Sequence, residues 1–484
     1  MLEKVQADRL VKLEKIRELG IDPYGGLYGT AEAVGEILSR YCDGAEDQAA
    51  DAAGRLVLIR DMGKLIFAHI RDQSGQMQIA LRKNALDETS WALAKLLDLG
   101  DLVAAAGLLQ KSKTGEITIW ADRITLLCKS LNPPPEKFHG LHDVETRYRQ
   151  RYLDLMTNPE STAVFQKRIA VIEHFRKVLK GRGFVEVETP VLQPIYGGGA
   201  AKPFTTHHNK LDADLYLRIS PELYLKRLLA GGMEKVFEIG TQFRNEGIDT
   251  RHNPEFTMME LYQAYADYEV MMEITEELIA TAAESVGGST RLPYGEREMD
   301  YARPWPREKY EDLLAEHGGV SMRDPAAVRA KARELGIEES NKDDVVVIDQ
   351  VFEATVEPAL AKRDRPTFVR DYPAEMCPLT RRDPNDPSIA LRFEVFAAGM
   401  ELGNAYTELN DPAVQEANFR RQVRGEGDAA AMRVMDEDFL TALRHGMPPA
   451  GGLGIGIDRV VMLLTNRQSI RDVILFPLLR PEAK

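Results

Sequence analysis

The sequence predicts an α+β protein with more than one domain. Its 484 residues exceed what a single hydrophobic core usually serves. From Arg55 onward, apolar residues recur at period two over five segments, with one helical segment between the third and fourth. Three strands, a helix and two strands is the element order of an OB-fold, a small barrel that often binds oligonucleotides. Beyond a proline-rich linker, helices of period 3.6 and strand segments share the rest of the chain. The boundaries read as a helical extension over 1–53, the OB-fold over 54–130, a linker over 131–147 and a large domain over 148–484. A mostly helical insertion occupies about 271–346.

Composition excludes several classes. Hydrophobic residues make up 44% and charged residues 29%, the balance of an ordinary soluble globular protein. No long uncharged apolar run is present, so no transmembrane helix is expected. The first 20 residues are charged throughout and lack the apolar core of a secretory signal. Cys42, Cys128 and Cys377 are far apart, which argues against a disulfide framework or a cysteine zinc site and for a reducing, cytoplasmic setting. A net charge of −14 is not that of a general polyanion binder. Between Gly54 and Ser130, however, 11 Lys and Arg face 8 Asp and Glu, a slightly basic module on an acidic body.

In chain order, Leu10, Leu13, Ile16 and Leu19 make one stripe of a first helix, and a short helix follows over 30–40. The five barrel strands come next, with Phe67 and Gln78 on the second and third. A ring there can stack on a base or fill the barrel core. Asn132-Pro133-Pro134-Pro135 is a stiff linker. A helix over 164–180 carries Phe165, Ile169, Ile172, Phe175 and Leu179 and stops at Gly181 and Gly183. FVEVETPVL then reads as a strand whose Pro190 marks an edge, a bulge or an end. The loop Tyr196–Ala201 is built of small residues that admit a ligand close to the backbone. Glu222 opens a helix, a position that plain capping also explains.

The chemistry concentrates in 236–265. A strand ends in Arg244, Asn245 and Glu246, a polar loop carries Arg251, and on the returning strand Phe256, Met258, Glu260 and Tyr262 share one face. Guanidinium groups suit phosphate, a ring suits a base, and a carboxylate suits an ammonium. In a later strand pair, Asn404, Tyr406 and Glu408 share a face. Glu401 joins that face only if a bulge at Gly403 breaks the alternation. Glu394 and Glu401 are two carboxylates able to hold Mg²⁺, which also takes substrate phosphates. Finally GGLGIGIDRVVML runs a glycine-rich strand into a helix with Arg459 at the junction, a setting for a flat ligand and a phosphate. Neither GxGxxG nor GxxxxGK[ST] occurs, so no Rossmann or P-loop site is expected.

Taken together, GFVEVETPVL, FRNEG…RHNPEFTMMELYQAY and GLGIGIDRVVML resemble, in order, the three motifs of the class II aminoacyl-tRNA synthetases. KFHGLHDVETRYRQRYLDL, ELGNAYTELNDP and IRDVILFPLLRP resemble the lysine-specific branch. The resemblance implies an antiparallel sheet flanked by helices, beside the OB-fold, and a homodimer formed through the first motif. It implies that Arg244, Glu246, His252, Asn253, Phe256 and Arg459 hold ATP, with Arg244 on the α-phosphate and Phe256 and Arg459 around the adenine. Glu394 and Glu401 would bind Mg²⁺, up to three ions per subunit. Gly198, Glu222 and Glu260 would take the α-amino group of lysine, Glu408 and Tyr262 its ε-ammonium, and Asn404 and Tyr406 would complete the pocket. Phe67, Gln78 and Glu116 would read the anticodon of tRNA(Lys). The loop YGGGAAKPF, which carries Gly198, departs from the family's Gly-Gly-Ala-x-Ala-Arg-Pro-Phe.

The implied reaction forms lysyl-adenylate from lysine and ATP and passes the lysyl group to the 3′ end of tRNA, with no enzyme nucleophile. Arg244 and Arg459 would be its catalytic residues, acting by positioning and charge. Two readings compete. An aspartyl- or asparaginyl-type enzyme shares the motifs but wants a cation in its pocket. A nucleic-acid-binding or regulatory protein on the same fold would not need Arg244, Glu394, Glu401 and Arg459 together.

Overall fold

The structure is a computed structural model. It describes residues 2–44, 48–135, 141, 143–199, 201–423 and 435–481. Residues 136–140 and 142 of the expected linker, and Ala200 of the small-residue loop, lie outside them. The chain divides into two compact units, Met1–His142 and Asp143–Lys484.

In the first unit, helices Leu2–Glu18 and Val34–Arg40 precede a closed five-stranded barrel. Its strands are Ala49–Asp61, Leu65–Arg71, Gln76–Arg82, Leu102–Lys111 and Ile117–Cys128, with helix Glu88–Leu96 between the third and fourth. The third and fifth strands pair in parallel and close the ring, which removes every free edge. Ile66, Ala68, Ile70, Met77, Ile79 and Leu81 fill the interior. Phe67, His69 and Gln78 therefore point outward. The core role that was open for Phe67 is not the one it has. The first helix also differs from expectation in phase. Leu13 and Ile16 are buried, but Leu10 is exposed, and Arg9 takes its place. The Arg9 guanidinium donates to the carbonyls of Leu99, Ser130 and Asn132, so a cation replaces a leucine on the buried stripe.

The second unit is built on an eight-stranded sheet. In spatial order its strands are Arg307–Lys309, Thr367–Pro373, Ile389–Ala397, Met400–Thr407, Ala450–Gly456, Glu255–Ala264, Lys235–Phe243 and Val185–Glu186. The six inner strands are antiparallel throughout, and a short parallel strand is added at each edge. The sheet is thus mixed at its margins rather than wholly antiparallel. Met259, Leu261, Leu453, Ile455, Ala405, Phe393 and Val395 point to one face and form a dry core with helices Pro159–Gly181, Tyr268–Ala282 and Ile457–Leu464. Alternation leaves the opposite face to the polar residues of the same strands.

Two sequence readings shift here. FVEVETPVL is not one strand but two short ones, Val185–Glu186 and Leu192–Gln193, with Pro190 in the gap between them. Within that gap the Thr189 N–H and hydroxyl both donate to Glu238 instead of to a strand. The long helix starts earlier than expected, at Pro159, where the Asn158 side chain caps it. Its buried stripe runs through Val164, Val171, Phe175 and Leu179, and Ile169 faces outward. The stretch 271–346 holds helices but also the hairpin Arg291–Tyr294 and Arg297–Asp300. No helix among the described residues is long and apolar enough to cross a membrane.

Candidate functional site

Two rows of residues cross the polar face of the large sheet. One runs Glu238, Glu260, Gly454, Asn404, Glu394, and the next runs Val236, Tyr262, Gly452, Tyr406, Arg392. The middle strand contributes only glycine to either row. The result is a trough floored by Gly452 and Gly454, with Glu260 and Tyr262 on one side and Asn404 and Tyr406 on the other. The floor tolerates no side chain at Gly452, since a Cβ there would lie 2.0 Å from Glu408 Oε1.

One end of the trough is lined with carboxylates. Glu260 is buried, accepts the Ser220 hydroxyl at 2.8 Å on Oε1, and has the Tyr262 hydroxyl 3.3 Å from Oε2. Burial, with the charge of Glu222 added, pushes its pKa up to about 8. Ser220 Oγ also accepts the Glu222 N–H at 3.0 Å. Gly198 belongs beside these two: its φ is +79°, and a Cβ on it would lie 2.9 Å from both Ser220 Oγ and Glu222 Cβ. The expected placement of Gly198 by Glu222 therefore has a steric reason, on top of a left-handed backbone that favours glycine. Glu222 is not a plain cap. Its Oε1 accepts Lys226 Nζ at 2.6 Å, and the same ammonium lies 2.5 Å from Glu408 Oε2. Burial raises Glu408 and Lys226 lowers it.

The other end gathers the arginines. Arg244 follows the strand Lys235–Phe243, and its guanidinium lies 5.1 Å from the centroid of Phe256. Arg459 donates at 2.6 Å to the Glu401 carbonyl and sits 3.3 Å from His252 Nε2. His252 Nδ1 is 2.9 Å from Asp249 Oδ2. Asn253 is buried and donates to the Glu255 carbonyl at 2.7 Å, and its own oxygen has no partner among the described residues. Glu246 is exposed on the loop. Asp458 next to Arg459 is buried, pairs with Arg168 and accepts the Thr257 N–H at 2.7 Å, which fixes the strand-to-helix junction.

The conditional bulge exists. Val395 faces Gly403 and Phe396 faces Glu401, so Leu402 is the extra residue. Its consequence is the one alternation required: Asn404 Nδ2 donates to Glu401 Oε1 at 3.1 Å, on the same face. Glu394 lies nearby, mostly buried between Arg392, with which it pairs, and the Tyr372 hydroxyl, which donates at 2.8 Å. Burial and the charge of Glu401 raise it, and Glu394 and Glu401 in turn help raise Glu357 to about 7. These oxygens repel one another and would gain from a hard cation. No group of three or more His, Cys, Asp or Glu among the described residues is arranged to hold a metal by itself. Two carboxylates without a full cage is the donor set that Mg²⁺ shares with substrate phosphates and water.

The sequence reading missed Lys226, Ser220, Tyr372 and Arg392. It also missed two groups on the barrel. There, Gln78 Nε2 donates to Glu116 Oε2 at 2.8 Å, and His69 Nε2 is 2.6 Å from Glu116 Oε1. Phe67 meets Trp120 edge to face at 6.0 Å, and Arg82 covers Trp120 at 4.8 Å. Rings, a guanidinium and hydrogen-bonding groups thus share the barrel's outer face. Period-two spacing from Phe67 to His69, and from Thr118 to Trp120, was the available signal.

The family model described as tRNA synthetases class II (D, K and N) matches residues 143–480. The model described as an OB-fold nucleic acid binding domain matches 52–127. A lysine–tRNA ligase of Carboxydothermus hydrogenoformans is 51% identical over 479 residues, covering 98% of this chain and 97% of that protein. Similar coverage is found with the lysine–tRNA ligases of Moorella thermoacetica, 50% identical (99% and 98%), and Bacillus cereus, 47% identical (98% and 96%).

Proposed function

We propose, from the premise that this chain belongs to the class II tRNA synthetases of the D, K and N group, that it is a lysine–tRNA ligase acting on lysine, ATP and tRNA(Lys). The observation that carries the substrate is the trough with buried carboxylates at one end. Glu260 takes the α-ammonium, with Glu222 and the backbone near Gly198 beside it, and Glu408 takes the ε-ammonium. Tyr262, Asn404 and Tyr406 form the walls. An aspartate or asparagine site would need a free cation. Among the described residues the largely buried cations here, Arg218, Lys226 and Arg392, are already paired with Glu238, with Glu222 and Glu408, and with Glu394.

In the first step a lysine carboxylate oxygen attacks the α-phosphorus of ATP and pyrophosphate leaves. In the second the terminal ribose hydroxyl of tRNA attacks the lysyl carbonyl and AMP leaves. Arg244 neutralises charge at the α-phosphate. Phe256 and Arg459 hold the adenine, and Arg459 reaches toward the γ-phosphate. Glu246, His252 and Asn253 complete the nucleotide contacts. Positioning and fixed charge are sufficient for such transfers, and no protein nucleophile is required. Glu394 and Glu401 would hold Mg²⁺, which neutralises phosphate charge when bound. Phe67, Gln78 and Glu116 would contact the anticodon, with His69 and Trp120 added to that surface. A homodimer through the first motif is supported by Ile169, Val185 and Leu192, all exposed apolar residues on the long helix and the short strands that follow it. A cytoplasmic setting, where tRNA and ATP are found, belongs to the same reading.

Amino-acid-dependent ATP–pyrophosphate exchange, run over the twenty amino acids without tRNA, tests this. Exchange with lysine alone is expected. Exchange with aspartate or asparagine would move the chain to another branch, and exchange with none would make it a binding or regulatory protein.

A further inference from the structure

Lys226 has no part in the reaction as derived above, yet it is the cation nearest to the substrate carboxylates. It lies one turn beyond Glu222 in the helix Glu222–Ala230, with none of its side chain exposed. Lysine in an amphipathic helix ordinarily carries its charge out to water. A buried ammonium survives only when paired and hydrogen-bonded. Here it is held by Glu222 Oε1 at 2.6 Å and Glu408 Oε2 at 2.5 Å, and it lies 5.9 Å from the centre of the Tyr262 ring.

The two oxygens of Glu408 are thereby made unequal. Oε2 faces Lys226. Neither oxygen completes a hydrogen bond among the described residues, but Oε2 has the ion pair with Lys226, and Oε1 alone stands directly over the trough floor at Gly452. Three carboxylates and one ammonium also fix the charge of the site. With Glu222 paired with Lys226, Glu408 and Glu260 remain for the two ammonium groups of a lysine substrate, Glu260 once it has lost its proton. The titratable groups around Glu408 are Glu222 and Lys226 from the helix, Glu260 and Tyr262 from the strand beyond the floor strand, and Tyr406 from the strand that leads into Glu408. The floor strand offers only glycine.

We propose that Lys226 is a built-in counter-ion of the amino-acid pocket. It pairs with Glu222 and Glu408 while the pocket is empty, and it holds Glu408 by Oε2 so that Oε1 alone is offered to the incoming ε-ammonium. Lys226 is a positioning residue: it touches the carboxylate that binds the substrate and not the reacting atoms. The inference deepens the lysine-site reading and rests on it. The direction of its effect follows from charge. Without Lys226 the buried Glu408 carboxylate loses its counter-ion and holds its proton to higher pH.

The test is lysine-dependent ATP–pyrophosphate exchange with the full chain, wild type against Lys226→Met, from about pH 6.5 to about pH 8.5. The readout is the ratio of the two lysine KM values at each pH, which cancels titrations common to both proteins. The expected ratio is at least about tenfold at the acid end. It shrinks as pH rises, by up to about tenfold per unit while Glu408 titrates, and the ATP KM stays within about twofold. A ratio that does not change with pH, or an equal rise in the lysine and ATP KM values, would overturn the proposal and leave Lys226 a fold-holding ion pair. Should the Met variant not fold, Lys226→Arg carries the test, because the charge is kept and its position changed. The expected result is then a raised lysine KM with a pH-independent ratio, and an unchanged lysine KM overturns the positioning role. No lysine-dependent exchange by the wild type would instead remove the site reading itself.

Discussion

Gly452→Ala adds one methyl group to the floor of the trough, against Glu408 and Tyr262. The added Cβ would lie 2.0 Å from Glu408 Oε1 and 2.5 and 2.8 Å from two atoms of the Tyr262 ring, where ordinary contacts are 3.4–4 Å. Relief requires the carboxylate to retreat by about 1.5 Å and the ring by about 1 Å. Neither is free to do so. Glu408 is held by Lys226 and by its own N–H, which donates to Ala450 at 2.8 Å, and Tyr262 is packed against Leu223 and Val236. The backbone cannot yield either, because Gly452 is paired with Tyr262 on one side and Tyr406 on the other. Overpacking of this kind costs about 1–3 kcal/mol in stability. A displacement of about 1 Å in a binding group can cost about 10²-fold in the step it serves. We therefore expect the lysine KM to rise about 10²-fold, the ATP KM to stay within about twofold, and Tm to fall by a few degrees. Exchange kinetics with each substrate varied in turn, plus thermal unfolding, measure all three. A lysine KM within about twofold of wild type at an unchanged Tm would refute the reasoning, because Glu408 Oε1 could not then be a binding group.

Other perturbations separate the remaining parts of the site. Glu408→Gln removes one partner of a buried pair, worth about 3–5 kcal/mol, and should raise the lysine KM by about 10²- to 10⁴-fold with ATP binding largely intact; equal losses of both would sink the assignment. Gly403→Ala places a Cβ 2.2 Å from the Gly454 carbonyl, disturbs the bulge and moves Glu401, so the ATP KM and the Mg²⁺ requirement should rise more than the lysine KM. Glu260, with its pKa pushed up to about 8, is mostly protonated at pH 7 in the empty pocket and must lose that proton to solvent before its carboxylate can pair with an ammonium. Lysine binding should therefore release protons at pH 7 and strengthen as pH rises toward about 8, and calorimetry in buffers of different ionisation enthalpy would reveal uptake or no exchange if this is wrong. Trp120→Ala removes a ring from the barrel's outer face and should raise the tRNA KM in aminoacylation by about tenfold or more, at about 1–3 kcal/mol per stacked base, while tRNA-free exchange stays at the wild-type level.

What the sequence disclosed depended on whether a pattern was local. Alternation alone placed Phe256, Glu260 and Tyr262 together, because a strand has only two faces and Met259 and Leu261 had to share the dry one. It also stated the condition for Glu401, and Gly403 met it. Periodicity finds a stripe but not its phase. Leu10 and Ile169 belong to the right helices and point outward, since a guanidinium at Arg9 and a valine at Val171 occupy the buried lines instead. The spatial order of the eight strands brings together segments that are distant in the chain, and no local signal carries that order.

Lys226 shows where local reading fails in principle. Glu222 and Lys226, four residues apart on a helix, form the pattern that usually marks a solvated surface pair. Burial reverses its meaning. A surface pair is worth little and is screened by salt, whereas a buried ammonium shared by two carboxylates holds both of them in place. The third member, Glu408, arrives from a different part of the chain, delivered by the backbone bond to Ala450 and by a floor of glycines that leaves it room. Only when the sheet places Gly452 beneath Glu408 does the helix pair become part of a binding site. The glycine-rich strand read as a cradle for a flat ligand therefore has a second use, since Gly452 and Gly454 leave open the space an amino-acid side chain would fill.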